Sequence, residues 1–181
     1  ATEAFEGARE SVRRFLNAPS SDQIIFTRSA TEAINLVAKS WGAQHVQAGD
    51  EIIVSHLEHH ANIVPWQMIA REKGAIIRVV PVNDRGEVMM EAFHSLLGPK
   101  TRLLAIAHAN NSLGTVLPVE EMTRAAKRYG ARVLIDGAQT VAHSPVNVQQ
   151  LDCDFYVFSG HKIFGPTGIG AAYIRKEIQE I

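Results

Sequence analysis

Phe155-Tyr156-Val157-Phe158-Ser159-Gly160-His161-Lys162 is an apolar run of strand length that stops in a turn of small residues carrying a lysine. The glycine-rich stretch Phe164-Gly165-Pro166-Thr167-Gly168-Ile169-Gly170 follows and leads into a second apolar run, Ala171 to Ile174. Upstream, Val133-Leu134-Ile135 ends in a comparable way, at Asp136-Gly137-Ala138-Gln139. Further runs of strand length are Ile24 to Thr27, Glu51 to Val54, Ala75 to Val80 and Leu103 to Ala107. Between them, Thr31 to Trp41, Ile63 to Lys73, Met90 to Leu97 and Val119 to Tyr129 read as helices, the first and last with one clear apolar face. Strand-length runs alternating with helices predict an α/β fold, a mostly parallel seven-stranded sheet between helices. Gly49-Asp50, Asn83 to Gly86 and Gly98-Pro99 mark turns, and with neither repeat nor long linker one domain is expected over residues 1–181. In open sheets of this kind ligands sit beyond the carboxyl ends of the strands.

Composition points to small-molecule work. The chain has 181 residues, 46% hydrophobic and 20% charged, with a formal net charge of -1 and scattered Lys and Arg, which argues against a nucleic-acid or anionic-membrane partner. No run of about 18 apolar residues is present, and the N-terminus lacks the basic-then-apolar order of a secretory signal. A cytoplasmic location is expected, or an organelle stroma or matrix. The single cysteine, Cys153, cannot form an internal disulfide and fits a reducing compartment. Because the chain opens inside a helical pattern (Phe5, Ala8, Val12, Phe15, Leu16) and stops where another segment begins, both ends read as cut.

Five strand ends carry candidate chemistry. Lys162 has an amine that, held near apolar walls, could attack an aldehyde, with Ser159 and His161 as short donors beside it; taken alone, a solvated loop lysine is the favoured reading. Asp136, projecting from a buried strand, needs a partner such as a protonated ring nitrogen, with Gln139 near a ring oxygen; a helix cap or turn Asp is the alternative. Thr27-Arg28-Ser29-Ala30-Thr31-Glu32 joins a strand to a helix and makes an anion site by geometry and dipole, compatible with a plain capping box of Ser29 and Glu32. Glu58-His59-His60-Ala61-Asn62 offers an imidazole to stack on a planar group or move a proton; zinc is weighed because His56 is near, but no HExxH or Cys pair supports a metal. Asn110-Asn111-Ser112-Leu113-Gly114 places an amide or is an ordinary turn. The glycines after Lys162 fit neither the dinucleotide spacing nor a Walker loop.

Together these segments resemble the class V aminotransferase group and, within it, the cysteine desulfurases of the SufS/CsdA type, which also act as selenocysteine lyases. The resemblance is carried by Thr31 to Val37, Glu58 to Trp66, Asn111 to Thr115, Asp136 to Gln139, and Asp152 through Lys162 to Gly170. It covers almost the whole chain as that family's pyridoxal 5'-phosphate (PLP)-binding large domain, fold type I, without the small C-terminal domain. It implies that Lys162 anchors PLP through an imine, Asp136 pairs with the ring nitrogen, Gln139 and Asn111 address the phenolic oxygen, and His59 stacks on the ring. Thr31, Ser159 and His161 would hold the phosphate. Where the family often has a second hydroxyl residue this chain has Ala30, so a contact there would come only from its backbone N–H.

The implied activity is a sulfur transferase reaction of iron-sulfur cluster assembly: L-cysteine, or L-selenocysteine, goes to L-alanine while Lys162 or His59 handles protons. The sulfur passes to an enzyme cysteine and then to an acceptor protein, in a homodimer. In the family that cysteine and the arginine receiving the substrate carboxylate lie beyond residue 181, and Cys153 is expected to be a buried structural thiol. Other readings remain at this point: another class V activity such as an epimerase or kynureninase-like lyase, a non-catalytic PLP-binding or dimer-forming fragment, and a structural α/β domain without ligand.

Overall fold

A computed structural model describes residues 1–180. Its strands are β1 (Ile24–Thr27), β2 (Glu51–Ser55), β3 (Ile76–Val80), β4 (Thr101–Ala107), β5 (Arg132–Asp136), β6 (Phe155–Ser159) and β7 (Gly170–Ile174). Its α-helices are α1 (Thr2–Leu16), α2 (Ala30–Val37), α3 (Ala43–His45), α4 (Val64–Lys73), α5 (Met90–Leu96), α6 (Val119–Lys127), α7 (Val148–Leu151) and α8 (Lys176–Gln179). The strands form one sheet in the order β1-β7-β6-β5-β4-β2-β3.

The pairs β2–β3, β2–β4, β4–β5 and β5–β6 are parallel, as the helical crossovers require, whereas β7 runs against both β6 and β1. Two reversals restore the direction, so β1 points the same way as β6. The carboxyl ends of β1, β2, β4, β5 and β6 therefore share one edge with the amino end of β7. At that edge Gly170 pairs with Thr27 on one side and Ser159 on the other.

Strand periodicity divides the interior into two cores. Ile52, Val54, Leu103, Ala105, Leu134, Phe155 and Val157 pack with α2, Trp41 and α4 on one face. Ile53, Leu104, Ile106, Val133, Ile135 and Tyr156 pack on the other with Leu16 of α1, Phe93 of α5 and Met122 of α6. Both faces of the sheet are covered, which is why its central strands read as continuous apolar runs rather than alternating ones.

One helix departs from its sequence reading. The segment Thr31 to Trp41 is α-helical only to Val37 and continues as a π-helical turn, Ala38–Gly42. The wider turn lets Ala38 and Trp41 both enter the core, where the Trp41 ring stacks on His45 at 5.4 Å and lies 5.9 Å from Phe155.

Gly170 allows the loop after β1 to lie against β7, since a Cβ there would stand 2.7 Å from backbone atoms of Ser29 and 2.8 Å from the Phe158 carbonyl oxygen. Neither neighbour is the free end of a side chain. Gly170→Ala is expected to destabilise by roughly 1–3 kcal/mol through overpacking. Gly7→Ala, in α1 with nothing within 4 Å, should instead stabilise by up to about 1 kcal/mol. Urea midpoints of the two variants check the contrast.

Candidate functional site

Asp136 is the last residue of β5 and lies two positions beyond Leu134, so its side chain falls on the α2 and α4 face of the sheet. It is 7% exposed; Oδ1 accepts the Ala138 N–H at 3.0 Å, and among the described residues no Lys, Arg or His nitrogen pairs with the carboxylate within 4.0 Å. Burial pushes its pKa above the ordinary carboxylate range, against the Ala138 N–H and the nearby charges of Lys162 and His59. The chain leaves β5 through Gly137 because any side chain there would collide with Tyr156, whose ring stands 2.1 Å from the Cβ position. The Tyr156 hydroxyl is in turn held 3.0 Å from His108 Nδ1.

Asp136 opens onto a cavity of about 230 Å³ walled by Ala30, Thr31, His59, Asn111, Gln139, Ser159, His161 and Lys162. All nine residues singled out from the sequence thus meet around one space. Lys162 sits in a tight 3-10 turn, Gly160–Ile163, closed by the Gly165 N–H on the Gly160 carbonyl at 2.9 Å and anchored by the Gly160 N–H on Ile169 at 2.8 Å. Its amine makes no ion pair among the described residues.

The opposite wall is the start of α2. Ser29 caps it by accepting the Glu32 N–H at 3.1 Å, but the reciprocal half of the capping box is not made with Ser29. Glu32 instead accepts the Arg28 N–H at 2.5 Å and binds the Arg28 guanidinium. The Ala30 N–H, expected to face an anion, donates to Ser159 Oγ at 2.8 Å. Ala30 thus lines the cavity with its N–H directed to the serine hydroxyl, which keeps its own proton for a ligand. Thr31, in the first turn of α2, and His161 line the cavity beside it at a helix N-terminus.

His59 caps a short 3-10 helix, His60–Asn62, and its Nδ1 accepts the Ala61 N–H at 3.1 Å. In the neutral ring that places the hydrogen on Nε2. Asn111 follows Asn110, whose amide donates to the Leu57 carbonyl at 2.6 Å while its oxygen accepts the Ser112 and Leu113 N–H groups. Asn110 thereby ties the Asn111 loop to the His59 loop.

Sequence reading passed over the small wall residues Ala61, Ala107, Ala109 and Ala138, which leave room for a flat group and carry no chemical signature of their own. It also treated Glu58 only as part of the histidine run, whereas its carboxylate is buried behind the cavity and its pKa is raised to about 7 by burial. Cys153 lies fully buried outside the cavity, and burial pushes its thiol well up, so it is no thiolate nucleophile.

The class-V aminotransferase family matches residues 1–181. The chain is 58% identical over 177 residues to a probable cysteine desulfurase of Mycolicibacterium paratuberculosis, covering 98% of this chain and 26% of that protein. It is 53% identical over 178 residues to a cysteine desulfurase of Salmonella gallinarum, covering 98% and 44%. Among solved structures it resembles the cysteine desulfurase CsdA (S-sulfonic acid) of Escherichia coli with a TM-score of 0.94 and 44% identity, covering 98% of this chain and 44% of that one. The chain spans between about a quarter and somewhat under half of the length of these relatives. With a match over its full length and a fold shared with these proteins, the chain belongs to the class-V aminotransferase family, and its similarity runs to the cysteine desulfurases.

Proposed function

We propose that these residues are the cofactor-binding large domain of a PLP-dependent cysteine desulfurase, a transferase that converts L-cysteine to L-alanine and passes the sulfur to an enzyme cysteine as a persulfide. The observation that carries this reading is the buried Asp136 carboxylate in one cavity with the amine of Lys162, neither of them in an ion pair among the described residues. A buried anion of that kind calls for a cationic donor, and a protonated ring nitrogen is one. The cup of Thr31, Ser159 and His161 at the start of α2 suits a phosphate, and the alanine-lined walls suit a planar ring. The residues therefore fit PLP, the cofactor of the family.

When bound, PLP supplies an aldehyde and a ring that accepts electrons. Lys162 would anchor the aldehyde and would then be the group that carries a proton at the substrate Cα. Asp136 would hold the ring nitrogen and favour its protonated form, Gln139 and Asn111 would offer amides to the ring oxygen, and His59 would serve as the residue stacked on the ring. Cys153 takes no part. The desulfurase reading extends to a homodimer, a sulfur-acceptor protein and a role in iron-sulfur cluster assembly, as the family resemblance implies; a cytoplasmic location, or an organelle stroma or matrix, is a separate proposal that rests on the sequence.

In the full-length protein, addition of PLP should give a visible absorption band that Lys162→Ala abolishes, and cysteine should yield sulfide and alanine. A folded wild type without the band, or with the band but turning over a different amino acid and not cysteine, contradicts the assignment. Asp136→Asn should retain the cofactor yet lower kcat by on the order of 10²-fold or more, since it withdraws a preorganised charge from the reacting system. Steady-state alanine formation measures this.

A further inference from the structure

Behind His59, Glu58 is almost fully buried and its oxygens meet donors only. Oε1 accepts the Ser55 hydroxyl at 2.5 Å and the Ala107 N–H at 3.0 Å; Oε2 accepts the Asn62 amide at 2.7 Å. None of these donors can reverse without cost. The Ala107 N–H only donates; Ser55 Oγ already accepts the Leu57 N–H at 3.1 Å; and Asn62 Oδ1 is taken by the Trp66 indole N–H at 3.0 Å, which forces its NH₂ toward Glu58. A carboxylate accepts at both ends. A glutamine would set its own NH₂ against that of Asn62.

These bonds surround His59. The Glu58 side chain ties residue 58 to the end of β4, its bond to Asn62 spans the histidine, and the Asn62 N–H donates to the His59 carbonyl at 2.8 Å. The exposed imidazole itself accepts the Ala61 N–H and meets the edge of the His60 ring, both from the same turn. Burial raises the pKa of Glu58 to about 7, with the charge of Asp136 adding to the rise, so the carboxylate is held there at an electrostatic cost.

We infer that Glu58 is a positioning residue, an acceptor-only clamp that fixes the turn Leu57–Asn62 to the end of β4 and so holds the His59 imidazole over the cavity. The inference rests on the PLP reading for its catalytic consequence but not for the clamp itself. Amide exchange of the full-length protein without cofactor tests the clamp. In Glu58→Gln, peptides covering residues 56–63 should exchange at least about tenfold faster while those of β1, β6 and β7 are unchanged, since local opening follows from local hydrogen bonds. Ser55→Ala, which removes one donor and leaves the carboxylate, should move the same peptides less, and it keeps the test open if Glu58→Gln does not fold. Unchanged exchange in both variants overturns the clamp.

With PLP bound, Glu58→Gln should keep the absorption band and KM but lower kcat by on the order of 10-fold to 10²-fold, the size expected of a misplaced group. In a His59→Ala background the same substitution should add almost nothing, because the two residues act through one position. Losses that multiply in the double variant would show that Glu58 does not act through His59. A wild type without the band would instead count against the PLP reading, while the exchange result stands by itself.

Discussion

A carboxylate buried at the end of a central strand is costly without a partner, and among the described residues Asp136 has one backbone N–H bond and no ion pair. Much of the local structure serves to keep it there. Gly137 gives the chain room to turn past Tyr156, and Leu134 and the strands on either side hold β5 on both faces. Lys162 and His59 lie close enough to counter part of the burial cost without pairing with it. The protein stabilises an anion imperfectly, and the cationic ring nitrogen of the proposed cofactor would complete it.

The sheet supplies the rest of the site by direction alone. Parallel β4, β5 and β6 deliver Asn111, Asp136 and Lys162 to one edge, and reversed β7 allows β1 to deliver the start of α2 to the same edge. Gly170, between Thr27 and Ser159, is where the two arms come close enough for the Ala30 N–H to reach Ser159 Oγ. The groups proposed to hold the ring and the phosphate are thus brought together by backbone pairing.

Much of this was legible in the sequence because buried strands announce themselves as apolar runs and each run stops at a polar residue facing the site. Val133-Leu134-Ile135 before Asp136 and Phe155 to Phe158 before Ser159 are of this kind. Less legible were features set by partners distant in sequence. The antiparallel course of β7 depends on a short glycine-rich connection rather than on composition, and the π-turn at Ala38–Gly42 follows from packing Trp41 against Phe155. The bond made by the Ala30 N–H depends on Ser159, 129 residues away. Glu58 was hidden for a different reason: a charged residue beside two histidines looks solvated until its donors, which come from β2, β4 and the turn before α4, are seen together.

The central claim is that Asp136 holds a protonated ring nitrogen. It is tested most directly by the ¹⁵N NMR shift of PLP labelled at that nitrogen and bound to the full-length protein. The account predicts a pyridinium-type shift in the wild type and an unprotonated-type shift in Asp136→Asn. An unprotonated nitrogen in the wild type, or one indifferent to the substitution, would contradict it.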